Sequence, residues 1–135
     1  MIERRFPRTI AALEHVFAFL AEYMTSHRVD AASMYAVNLA VEEFFTNMVK
    51  YDVGGTDGIK LSLDLGEDSV RVKLEDENVE PFDVTKAPHV DTLKSLDGRK
   101  VGGLGIHLSR HLLDGIDYEY INRCSIITIT KHRER

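Results

Sequence analysis

Glu43 and Asn47 stand four residues apart in the stretch VNLAVEEFFTNMVKYD. On a helix that spacing brings a carboxylate and a carboxamide to one face, one turn apart. The carboxylate can take a proton from an attacking hydroxyl or water. The carboxamide oxygen is a hard, neutral ligand of the kind Mg²⁺ accepts beside waters and phosphate oxygens. The same spacing also serves ordinary solvated helix faces, so it needs company. Asp76, in LEDENVEPFD, closes an alternating apolar stretch. A carboxylate at a strand end can accept the exocyclic amine of adenine, or it can begin a polar turn. Gly102, Gly103 and Gly105 open the stretch VGGLGIHLSRHLLDG. Backbone N–H groups of such a segment at a helix start can cradle phosphates, and glycine also serves hinges and caps.

Two other groupings carry less. His107 and His111 share i, i+4 spacing, but no neighbouring pattern supplies a third and fourth zinc ligand. The acidic run Glu75, Asp76, Glu77 with Glu80 lacks the alternating ligands and central glycine of a calcium loop.

The elements that must hold these residues follow from periodicity. IERRF reads as a short first strand. Thr9 is a candidate N-cap for a helix with Ile10, Leu13, Phe17, Leu20 and Met24 on its apolar stripe, ending near His27. Asp30 is the candidate cap of a second helix, with Met34, Val37, Val41, Phe44 and Met48 at the same spacing. That helix stops before the glycine-rich turn DVGGTDG. The period then drops to two. Ile59, Leu61, Leu63 and Leu65, then Val70, Val72 and Leu74, alternate with polar residues and predict a hairpin covered on one face. Residues 77–103 hold two prolines and several charges and read as a long lid-like loop. A third helix carries Leu104, Leu108 and Leu112, with Ile106 and Leu113 beside them and Gly115 at its end. IDYEYI and SIITIT read as closing strands around an NRC turn. The order is β-α-α-β-β-lid-α-β-β, one α/β sandwich over residues 1–135.

The chain has 135 residues, enough for one domain with a real core. A net charge of −5 argues against a nucleic-acid partner. No apolar run approaches the ~20 residues of a membrane span, and MIERRFPRTI lacks a signal-peptide core. The single cysteine, Cys124, excludes an internal disulfide and fits a cytoplasmic setting.

Taken in order, the three stretches resemble the GHKL ATPase/kinase superfamily, and within it the anti-sigma factor serine/threonine kinases. VEEFFTNMVKYD is similar to the N-box, with Glu43, Asn47 and Lys50 matching and Tyr51 where histidine is common. EDENVEPFD is similar to the first glycine box, with Asp76, Pro81, Phe82 and Asp83 matching. There Asn78 replaces a glycine, Asn being a residue that tolerates left-handed backbone, and the stretch to Pro81 is one residue longer. GGLGIHLSRHLLDG resembles the second glycine box, and SIITITK the closing strand.

The resemblance implies a Bergerat-type two-layer α/β (α+β) fold, a mixed sheet with helices on one face, and an ATP lid at about 77–103. It implies ATP and Mg²⁺ as cofactors. Glu43 would be the general base and Asn47 the Mg²⁺ ligand. Lys50, Asp76, Asn78, Gly103, Leu104, Gly105 and Thr128 would join Asn47 around ATP. Within that set Asp76 would read adenine, Thr128 would help through water, and Gly103 and Gly105 would admit the phosphates. The implied activity is phosphorylation of a STAS-type anti-sigma antagonist, with sequestration of a sigma factor, by a homodimer that touches neither nucleic acid nor membrane. The alternative is a catalytically weak module of the same fold that regulates a sigma factor by protein contact only.

Overall fold

The computed structural model of the protein describes residues 1–52, 54–55, 57–83 and 111–134. Strand β1 is Ile2–Phe6, followed by a 3-10 turn at Ile10–Ala12 and helix α1 at Leu13–Ser26. Helix α2 is Ala31–Tyr51. Strands β2 (Ile59–Leu65), β3 (Ser69–Glu77), β4 (Gly115–Ile121) and β5 (Cys124–His132) complete the described elements. The sheet order is β1-β2-β3-β5-β4. All four pairings are antiparallel, so the sheet is antiparallel among the described residues rather than mixed. Between β1 and β2 two helices run in succession and carry the chain down and back. The next strand therefore enters from the end where the last one left. The expected lid over most of its length, and the third helix up to residue 110, lie outside the described residues. His111 and Leu112 are helical, and Gly115 already belongs to β4.

Both helices lie on one face of the sheet. Val70, Val72 and Leu74 of β3 meet Ile127 and Ile129 of β5 and Leu61 and Leu63 of β2, all fully buried. Against them pack Val37, Val41, Phe44 and Met48, the α2 stripe expected from spacing. The α1 stripe is rotated. Val16, Phe19, Leu20 and Met24 are buried, whereas Phe17 is only half-buried and Ile10 is 47% exposed. The tight 3-10 turn takes Ile10 off the stripe, because its residues advance further around the axis than α-helical ones. Thr9 precedes that turn in extended backbone and makes no side-chain cap bond. Asp30 does cap α2, its Oδ2 accepting from the Ser33 N–H at 2.9 Å.

The opposite sheet face is polar and carries Lys60, Arg71, Lys73, Glu75, Asp117 and Glu119. The β4–β5 turn is made by Asn122 (φ 51°) and Arg123 (φ 64°), the left-handed pair a two-residue hairpin needs, and Cys124 is already strand. Among the described residues, no helix is long and apolar enough to cross a membrane.

Candidate functional site

Helix α2 delivers Glu43 and Asn47 to one flank of its sheet-facing side, beside Phe44 and Met48. Asn47 is 1% exposed and Glu43 8%. Glu43 Oε2 is buried with no hydrogen-bond partner. Loss of water drives its carboxyl up to about 7, nearby Glu42 adds to the effect, and Lys50 opposes it. A glutamate poised there can exchange a proton at neutral pH. Lys50 itself is exposed on the last turn of α2.

Asp76 is the penultimate residue of β3 and fully buried on the helix-facing side. A partner that sequence reasoning did not find holds it. Arg8, just past β1, donates from Nε to Oδ1 at 3.1 Å and from Nη2 to Oδ2 at 3.0 Å. Arg8 Nη2 also donates to the Met48 carbonyl at 3.1 Å. Gly55 makes room for this arm: a Cβ there would stand 2.7 Å from Arg8 Cζ, and its φ is +68°.

Asp52 was also missed. It is the C-cap residue of α2, and its N–H donates to the same Met48 carbonyl at 3.2 Å. Its side chain is 8% exposed, and no donor reaches either carboxyl oxygen with good geometry. Burial, a side-chain hydrogen bond to Asp76 and the charge of Asp76 push it up to about 8, with Arg8 opposing.

Strand alternation corrects the expectation for Thr128. Ile127 and Ile129 point into the core, so Thr128 lies on the polar face, opposite Lys73, in a depression lined by Arg71, Asp117 and Thr130. The hydroxyl that shares a face with Asp76 is that of Ser125, its direct cross-strand partner, fully buried and without a hydrogen-bond partner of good geometry. Period-two counting from Ile127 was the signal that finds it. Tyr118 and Tyr120 of β4 enter from the same side, donating to the carbonyls of Phe82 at 3.3 Å and Val79 at 2.6 Å. Asn78 follows β3 in left-handed backbone (φ 58°), as expected of an asparagine in a glycine's place. Its exposed side chain donates to Asp57 at 3.1 Å, so it turns outward from the buried site. Gly103, Leu104 and Gly105 lie outside the described residues, as does His107.

Glu43 and Asn47 fit a hydrated Mg²⁺ by chemistry. Both offer oxygen, and one carboxylate oxygen lacks any partner. Among the described residues no group of three or more histidine, cysteine, aspartate or glutamate side chains forms a metal cage. A site that borrows its remaining ligands from phosphate and water needs none.

A two-layer α+β sandwich with an antiparallel sheet, helices on one face and a buried helix-borne carboxylate and carboxamide defines a Bergerat-type ATPase fold. Residues 6–131 match the family model described as the histidine kinase-like ATPase domain, and the chain belongs to that family. No curated protein matches the chain. Among solved structures it is similar to the RsbU and RsbW domains of Rv1364c from Mycobacterium tuberculosis. That match has a TM-score of 0.69 and 19% identity, over 99% of this chain and 32% of that one. It is also similar to the histidine kinase AdeS of Acinetobacter baumannii, with a TM-score of 0.52 and 17% identity, over 100% of this chain and 69% of that one. The histidine kinase domain of the Erythrobacter litoralis blue-light activated kinase EL346 gives a TM-score of 0.52 and 13% identity, over 93% and 60%. At these identities the likeness is one of fold. The chain spans about a third of the M. tuberculosis chain it matches.

Proposed function

We propose that the protein is an ATP-dependent protein serine/threonine kinase that phosphorylates a STAS-type anti-sigma antagonist, holds a sigma factor, and works as a cytoplasmic homodimer. The observation that carries this reading is Glu43: a buried carboxyl with an unpaired oxygen, titrating near 7, one turn from Asn47. The ordered boxes support it, as does likeness of fold to a chain with an RsbW domain. Glu43 takes the proton of a partner's serine or threonine hydroxyl as that oxygen bonds to the γ-phosphorus and the bond to ADP breaks. Asn47 is the residue that would hold Mg²⁺, which when bound neutralises phosphate charge. Asp76 accepts from the base.

The ion pair between Arg8 and both Asp76 oxygens favours a second reading, a catalytically weak module that binds its sigma factor without phosphate transfer. Calorimetry with ATP, with and without Mg²⁺, on the wild type and Asn47→Ala tests the nucleotide site. Mg²⁺-dependent binding lost in the variant is expected. Labelled phosphate appearing on a STAS-type antagonist supports the kinase. ATP binding without transfer supports the module. No binding by folded protein at millimolar ATP removes the kinase reading.

A further inference from the structure

Three side chains from distant parts of the chain meet at the end of α2. Arg8 and the Asp52 N–H converge on one acceptor, the Met48 carbonyl, and Arg8 turns both of its remaining bonds to Asp76. The cluster thus holds two buried carboxyl groups and one guanidinium. Arg8 satisfies Asp76. Nothing donates to Asp52. A buried carboxylate without a counter-charge costs several kcal/mol. The C-terminal end of a helix, with its negative partial charge, is a further reason for Asp52 not to ionise. The charges that bear on Asp52 are Asp76 from β3 and Arg8 from the segment after β1, and the Tyr118 phenol of β4 is near enough to feel the Asp52 charge. Asp52 therefore keeps its proton and shares it with Asp76 in a side-chain hydrogen bond, while Asp76 stays paired with Arg8. The direction of the Asp52 shift agrees.

A neutral carboxyl group beside a carboxylate is a donor next to an acceptor. Adenine offers the matching pair on one edge, the N1 acceptor and the 6-amino donor. Guanine offers the opposite order there, an O6 acceptor and an N1–H donor.

We propose that Asp52 is a specificity-determining residue of the nucleotide site: when a nucleotide binds, its carboxyl O–H turns from Asp76 to donate to N1 of adenine, while Asp76 accepts from the 6-amino group. This rests on the reading of Asp76 as the base acceptor. Arg8 is the positioning residue, since its two bonds fix the Asp76 carboxylate and leave the proton to Asp52.

The test is calorimetric titration of Asp52→Asn, Asp52→Ala and the wild type with ATP, GTP and 1-deaza-ATP, whose N1 is replaced by carbon, at pH 6.5 and 9. Thermal melts confirm folding. Asn supplies an N–H donor that does not titrate. The wild type is expected to lose about tenfold in ATP affinity at pH 9, the worth of one buried hydrogen bond. Asp52→Asn should stay within about threefold of the pH 6.5 wild type at both pH values, and Asp52→Ala should bind about tenfold more weakly at both. Affinity for 1-deaza-ATP should be low and the same in all three proteins. If Asp52→Ala binds ATP like the wild type, or loses as much for 1-deaza-ATP as for ATP, the proposal is wrong while the nucleotide site stands. If the folded wild type binds no nucleotide at either pH, the nucleotide reading and this proposal fall together.

Discussion

At Glu43 a carboxyl group gives up water and gains no donor in return, which is a stability cost that binding or catalysis must justify. Glu43→Gln keeps the shape and removes the charge. Moving the glutamate from its ordinary 4.5 to about 7 costs the folded state at most about 3 kcal/mol once the group is ionised. The variant should therefore be about 1–3 kcal/mol more stable than the wild type in urea unfolding at pH 8, and no more stable at pH 4. If Glu43 is the base, phosphate transfer by the wild type climbs with pH through about 7, and the variant loses about 10²–10⁴-fold while still binding ATP. A variant that is both fully active and more stable would remove Glu43 from the chemistry. Glu43, Asn47 and Asp76 stood out in the sequence as an i, i+4 pair and a strand-end carboxylate, and the resemblance gave them roles that spacing alone left open. Arg8 did not stand out, because its partner lies 68 residues away and no local pattern announces a long-range ion pair. Gly55 was read only as part of a turn, yet its missing Cβ is what admits the arginine. Gly55→Ala pits both the positive φ and the Arg8 arm against a methyl group. It should cost about 1–3 kcal/mol by thermal unfolding, and combined with Arg8→Ala the added cost of the methyl should shrink toward the backbone strain alone.

Among the elements, α2 and the β2–β3 hairpin came through from sequence nearly intact, because each has one uninterrupted period. Two placements differ from expectation, the first read from helical spacing and the second carried over from the family resemblance. A 3-10 turn ahead of α1 took Ile10 off the stripe, and within α1 the buried face is centred on Val16, Phe19 and Leu20 rather than Phe17. On β5 a single step moves every side chain to the other face, and the hydroxyl beside Asp76 is Ser125's, not Thr128's. Ser125→Ala, which removes the hydroxyl without overpacking a fully buried position, should then alter nucleotide affinity, and the isosteric Thr128→Val should not. Helix capping is the element-scale feature that sequence found outright. Asp30 Oδ2 caps α2, and Oδ1 accepts the Glu134 N–H at 2.9 Å, tying the C-terminal segment to the helix start. Burial opposes its charge, but these bonds outweigh it and hold the carboxyl below its ordinary value. A lowered pKa gives stability that is present above the unfolded value of 3.8 and lost as pH falls through the folded one. Asp30→Ala is expected to cost about 1 kcal/mol at pH 7 and almost nothing at pH 2. A cost that is the same at both would mean that the side chain acts by packing rather than as a cap.

Across the whole molecule the sheet, its one-sided helical cover and the polar outer face were readable, since apolar residues change period where helix gives way to strand. The cluster at the end of α2 was not. It joins the segments after β1, at the end of α2 and at the end of β3, so it exists only in the folded chain. That cluster and Glu43 give the molecule an unusual pH response. Asp52, pushed up by burial and by Asp76, and Glu43, pushed up by burial and by Glu42, both hold protons in the folded state that the unfolded chain releases near its ordinary carboxylate values. Between those values and about 7 for Glu43, or about 8 for Asp52, the native state binds more protons than the unfolded one, so stability falls as pH rises. The slope is at most about 1.4 kcal/mol per pH unit for each group. Ordinary paired carboxylates such as Asp30 act the other way, but only at lower pH. The fold should therefore be most stable in mild acid, weaken through neutrality, and level off above pH 8. Urea unfolding at pH 5, 7 and 9 measures the descent. The double variant Glu43→Gln, Asp52→Asn should flatten most of it, because neither amide titrates. A wild type whose stability is level from pH 5 to 9 would mean that both carboxyls ionise in the folded chain, and Asp52 could not then serve as a donor at neutral pH.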